Sequence, residues 1–206
     1  MSPRGVTTPN PRERLFAAAE RVLKREGPAG LTSRAITAEA DCAKGLLHAH
    51  FAGLDEFVAD LVLDRFARTA RQAEQLPDRA GQNTVVANLR TIALALLAEA
   101  GPTIAGLAMA RPAASMRIRQ AWEADAPGFT VIQTSIADYL TAEQALRRLS
   151  AAVDCDAVAL ALIATVHHLL MTSWDGAPDP RPQVERVIAT LVGAPSGPLR
   201  DPGDAV

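Results

Sequence analysis

LTSRAITAEADCAKGLLHAHFAGLDEF, residues Leu31 to Phe57, is the stretch that decides the fold of this chain. Thr32 can accept from the free amides that open a helix, and Leu31 and Ile36 flank it at the spacing of a hydrophobic staple. The pattern predicts a short helix from about Ser33 to Ala40, with Ala35, Ile36 and Ala40 on its apolar face and Arg34 and Glu39 turned away. Asp41 tolerates a left-handed backbone, so it ends that helix and swings the chain round, and Cys42 is expected as the buried plug of the turn. From Lys44 to Phe51 a second short helix sets Leu47 and Phe51 inward at i and i+4, leaving Lys44, Gly45, Leu46, His48 and His50 outward. Such short helices cannot stand alone and need a partner to pack on. Two short helices about a tight turn form a helix-turn-helix, the arrangement that lays a reading helix in the major groove of DNA.

Outward from this segment the chain reads as further helices. One from Pro11 to Glu26 has Pro in its first turn and Leu15, Ala19, Val22 and Leu23 as its buried stripe, and Gly27-Pro28 stops it. Another, from Leu54 to Gln75, carries Leu54, Phe57, Val58, Leu61, Val62 and Phe66 on one face and is expected to join the first three helices to the rest. Past Leu76-Pro77, helices are predicted at Thr84–Ala100, Pro102–Ala110, Ala113–Asp125 and Thr130–Ser150, separated by Gly101-Pro102, Pro112 and Pro127-Gly128. Ala157 to Trp174 is 18 residues without a formal charge, the lower limit for a membrane span. It holds Thr165, His167, His168, Thr172 and Ser173 and lacks a basic flank, so the expectation is a helix buried on nearly all sides, against its own copy from a second subunit. A closing helix follows at Gln183–Val192.

Composition supports an all-α protein. Aromatic residues are 4% of the 206, and strand formers never alternate over a useful length, whereas apolar residues recur at i, i+3, i+4 and i+7. The net charge of −2 divides unevenly: residues 1–50 carry 8 Lys or Arg against 5 Asp or Glu, and the remainder 13 against 18. The positive excess lies where DNA would lie. Cys42 and Cys155 are far apart and no signal peptide precedes them, so no disulfide framework is expected and the protein reads as reduced and cytoplasmic.

The matches Thr32, Ile36, Ala40, Gly45 and Phe51 are in register with the signature T-x-x-x-I-A-x-x-A-G-V-S-x-G-x-x-Y-x-x-F, and here the chain resembles the tetracycline-repressor (TetR) family of bacterial transcriptional regulators. The similarity runs from Pro11 to near Asp64. Thr37 stands where that pattern favours Ala, Asp41 for Gly, Cys42 for Val, Ala43 for Ser and His48 for Tyr, and Leu54 takes the place of a common Lys. Ala43 cannot cap the reading helix, which forfeits roughly 0.5–2 kcal/mol; His48 can still donate to a phosphate, with a pH-sensitive contact.

Residues 1–10, rich in Pro, Thr and Gly, read as a disordered arm and 193–206 as a disordered tail, and the resemblance implies a three-helix DNA-binding domain at 11–53 and a helical ligand-binding and dimerisation domain at 54–192 entered through the long fourth helix. It further implies a homodimeric, nucleoid-associated repressor of a palindromic double-stranded operator, released by a small-molecule effector, with the last two helices of each subunit forming a four-helix interface. Two copies are also required physically, because one reading helix contacts few base pairs and each good contact discriminates by only about 1–3 kcal/mol.

Candidate DNA-contacting residues are Arg34, Lys44, Gly45, Leu46, His48 and His50, with Arg4, Arg12 and Arg14 near enough to touch the backbone. Met109, Met116, Trp122, Phe129, His167, Met171 and Trp174 are the large or polarisable side chains from which a ligand pocket would be lined. No cofactor, metal site or catalytic residue is expected, and no membrane partner. The contrasting readings are a helical protein-interaction module whose helix-turn-helix does not bind DNA, and an enzyme built on Cys155, Asp154, Asp156, His167 and His168. On one helix, Cys155 and His167 stand about 18 Å apart, too far for a nucleophile and its base. Phosphate loops, metal-type spacings and nucleophile elbows are absent from the sequence.

Overall fold

The computed structural model describes residues 10–98, 101–172 and 178–193. Among them are ten α-helices and no strand: α1 Pro11–Gly30, α2 Ser33–Glu39, α3 Gly45–His50, α4 Leu54–Glu74, α5 Val85–Leu97, α6 Gly101–Met109, α7 Pro112–Glu123, α8 Phe129–Ala145, α9 Cys155–Thr172 and α10 Arg181–Gly193, with a 3-10 turn at Pro77–Arg79. The all-helical expectation holds. Gly27, at φ 69° and ψ −174°, breaks the regular helix of α1 where Gly27-Pro28 was expected to stop it, and a last turn follows to Gly30.

Two compact units divide the chain. The first takes in the chain up to Arg68, together with Leu96–Gly128 and His168–Pro178. Its centre is a ring cluster. Phe16 of α1, Phe51 at the end of α3 and Phe57 of α4 stack with centroids 5.0–5.9 Å apart, and all three are buried. Leu15, Ala19, Val22 and Leu23 line α1 as the periodicity predicted. Arg65 of α4 ties two further parts to this core, donating to the Glu20 carboxylate at 2.9 Å and to the Ala98 carbonyl at 3.0 Å. At the start of α6 only glycine fits. A Cβ on Gly101 would lie 2.2 Å from the Leu96 carbonyl oxygen. Ser115 Oγ donates to the Ala108 carbonyl at 2.8 Å and fastens the corner between α6 and α7.

The second unit comprises Thr69–Ala95, Phe129–His167 and the chain from Asp179. It encloses a carboxylate, Glu143 on α8, without solvent exposure. Burial of an ionised group is tolerated only where it is paired and hydrogen-bonded. Glu143 accepts from Tyr139 Oη at 2.7 Å and from the Gly81 amide at 3.3 Å, and Arg148 pairs with it at 3.2 Å. Asn88 of α5 donates to the same Tyr139 oxygen at 2.9 Å.

That network explains why α8 ends at Ala145, short of the predicted Ser150. Arg147 adopts φ 59°, and the Arg148 amide donates to the Glu143 carbonyl while the Arg147 amide donates to that of Gln144, the paired bonds of a Schellman cap. The chain turns early, and Arg148 thereby faces back to the Glu143 carboxylate.

Within the single chain α9 is only partly buried. Its 18 residues have a mean hydropathy of 1.6, enough by length and composition for a membrane span, yet only 39% of them are buried within the chain. Ala157, Leu160, Ala164, His168 and Met171 recur on one exposed stripe.

Candidate nucleic-acid interface

The interface is built from the turn upward. Thr32 Oγ1 accepts from the Ala35 amide at 3.1 Å and caps α2, and Leu31 and Ile36 are buried beside it as the staple spacing required. Thr37 is buried as well, where a hydroxyl would be costly, but it donates to the Ser33 and Arg34 carbonyls within its own helix. Asp41 takes φ 47°, and the Asp41 and Cys42 amides donate to the Ala38 and Thr37 carbonyls, closing a Schellman cap at the turn. Cys42 is half-buried rather than the fully enclosed plug that was expected, with its Sγ 3.5 Å from the Thr37 carbonyl.

α3 begins at Gly45 without a side-chain cap, and its N-cap position is Lys44, one residue after the Ala43 that was expected there. Leu47 and Phe51 are buried, Leu46 is half-buried, and Lys44, Gly45, His48 and His50 are exposed. Arg34 on α2 is exposed as well. The side chains of Arg34, Lys44, His48 and His50 are exposed and make no hydrogen bond or ion pair with any described residue.

Two arginines near this surface are already engaged. Arg12 pairs with Asp60 at 2.6 Å and lies over the Phe51 ring, 4.6 Å from its centroid. Arg14 donates to the Ala40 carbonyl at 2.8 Å, fixing the end of α2. Both therefore support the turn rather than reach outward, and Arg4 lies outside the described residues. Arg21 and Arg25 of α1 donate to Glu39 at 2.6 and 2.8 Å, and these bonds, Arg21 first, hold its carboxyl below the ordinary range. The acid on α2 is thus compensated.

The start of α4 carries contacts the sequence did not signal. Glu56 accepts from the Ala52 amide at 2.7 Å and from Arg117 of α7 at 2.8 Å, while Asp55 pairs with Arg111 at the head of α7. Each arginine is more than fifty positions from its acid, and no local pattern announces such a pair.

The candidate ligand residues are divided between the two units. Met109, Met116, Trp122 and Met171 belong to the first unit, Phe129 and His167 to the second, and Trp174 lies outside the described residues. Met109, Met116 and Met171 are 65%, 56% and 41% exposed, whereas Trp122 and Phe129 are half-buried. Trp122 meets Phe66 edge-on at 5.2 Å, and Phe129 meets His167 edge-on at 5.5 Å. Cys155 and His167 share α9, twelve positions and therefore about 18 Å apart. Among the described residues no group of His, Cys, Asp and Glu is arranged to hold a metal ion.

Residues 15–61 match the family model of bacterial regulatory proteins, tetR family. No curated protein matches the chain in sequence. Among solved structures, a protein from Mesorhizobium loti MAFF303099 assigned to the TetR family of transcriptional regulators is similar over 92% of this chain and 96% of that one, at 16% identity and a TM-score of 0.65. NemR of E. coli in its reduced form is similar over 91% and 100%, at 15% identity and a TM-score of 0.63. FadR of Bacillus subtilis, solved with stearoyl-CoA, is similar over 87% and 97%, at 15% identity and a TM-score of 0.54. The signature residues and the matched segment agree that residues 15–61 are similar to the tetR family of bacterial regulatory proteins, and the chain shares the fold of these solved structures.

Proposed function

We propose that the protein is a ligand-responsive transcriptional repressor that binds a palindromic operator as a homodimer in the cytoplasm. The observation that carries this reading is the partition of α3, whose apolar side chains Leu47 and Phe51 are spent on the core while Lys44, Gly45, His48 and His50 stand free of it. Lys44 and His48 serve the phosphates; Arg34 and Leu46 serve base edges; Gly45 allows close approach of the backbone, and His50 adds a donor at the end of the helix. The exposed stripe of α9, with Leu160 56% exposed, supports pairing of two copies through that helix and α10. Paired reading helices must sit about 34–36 Å apart to enter successive major grooves. An effector acts by binding the conformation in which that separation is wrong. Trp122 and the Phe129–His167 pair are the side chains proposed for effector contact, and Met109, Met116, Met171 and Trp174 complete the set.

Selection of duplexes from random DNA tests the reading. Specific, salt-sensitive retention of one palindromic sequence is the expected result, with a different preferred site for variants at Arg34 or Leu46. Failure to retain any DNA would favour an interaction module built on the same helices.

A further inference from the structure

We propose that Arg111 and Arg117 of α7 are positioning residues for DNA binding, which work by neutralising Asp55 and Glu56 beside the reading helix, and that withdrawal of α7 exposes a pair of carboxylates that repels the DNA backbone. The inference rests on the regulator reading given above. Asp55 and Glu56 occupy the first turn of α4, where the helix dipole favours negative charge. That stabilisation has a cost for a DNA-binding surface, because it fixes two acids immediately after α3. Glu56 is held there by its bond from the Ala52 amide, in the loop that leaves the reading helix.

The compensation comes entirely from α7. Arg111 pairs with Asp55 and Arg117 donates to Glu56 at 2.8 Å, and among the described residues no other cation pairs with either carboxylate. These side chains are partly exposed, so the pairs add little to folding stability. Their effect lies in the field at the loop. Residues 1–50 have an excess of only three positive charges, and two uncompensated carboxylates would cancel most of it within a Debye length of the phosphates. α7 also carries Met116 and Trp122, so an effector that displaces this helix removes both arginines together. Release from DNA is then electrostatic as well as geometric.

Binding to the duplex recovered by selection is the test, read by fluorescence anisotropy at several salt concentrations. R111Q/R117Q should bind about tenfold or more weakly near 0.1 M salt, with a deficit that shrinks as salt rises. R111K/R117K keeps both charges and should bind as the parent does. Adding D55N/E56Q to R111Q/R117Q should restore affinity to within about twofold of the parent. D55N/E56Q alone leaves the arginines uncompensated and should bind more tightly, which tests the same idea even where the arginine variant does not fold. Unchanged affinity in R111Q/R117Q, or a quadruple variant as weak as the double, overturns the charge argument. A parent protein that recovers no duplex overturns the regulator reading instead.

Discussion

Tyr139 is the only tyrosine in the chain, and its surroundings make it a reporter of the second unit. Burial first, and the bond to Glu143 besides, push its phenol up to about 12 against the opposing donation from Asn88. The native protein therefore keeps this proton between about pH 10, where an unfolded chain loses it, and about 12. The stability it contributes is whole below that window and drains away as pH rises through it. Tyrosinate absorbance during alkaline titration should rise only near the upper limit, together with unfolding; a transition at the ordinary value would mean the network is open. On the DNA side, Lys44→Ala should weaken binding to all duplexes alike. Its log-log salt slope should fall by about 0.9 for each lost phosphate contact, and an unchanged slope would remove Lys44 from the interface.

Among elements, the sequence was legible wherever local chemistry sets the boundary. Thr32 caps α2 and Asp41 turns out of it because their side chains and backbone preferences act within four residues. The inward pair Leu47 and Phe51 could be read from spacing alone. Illegible were features closed by distant partners: the arginines of α7 on the start of α4, Phe16 in the ring cluster, and the buried Glu143, which on the sequence is one more helical acid. The end of α8 belongs with these, because Arg147 is no usual left-handed residue and its turn is imposed by Arg148 reaching Glu143. Arg147→Gly should consequently raise stability by about 0.5–1 kcal/mol, since glycine adopts that conformation without the Cβ penalty. Chemical denaturation measures the shift in midpoint, and a loss of stability would show that the Arg147 side chain matters more than its backbone.

At the scale of the whole molecule, the single chain leaves the stripe of α9 unfinished. Leu160→Glu with Ala164→Glu should yield monomers in sedimentation while helical content is kept, and operator affinity should fall at least about tenfold as the two half-sites lose their linkage. A variant that stays dimeric would move the interface to another face. The hydropathy of α9 carries a further consequence for biosynthesis. If the proposed pairing through α9 holds, a newly made chain still without its mate offers the cell a segment that insertion and quality-control machinery cannot tell by composition from a membrane anchor. Assembly must then outpace capture, so at low expression the amount of working regulator should rise more steeply than the amount of chain synthesised.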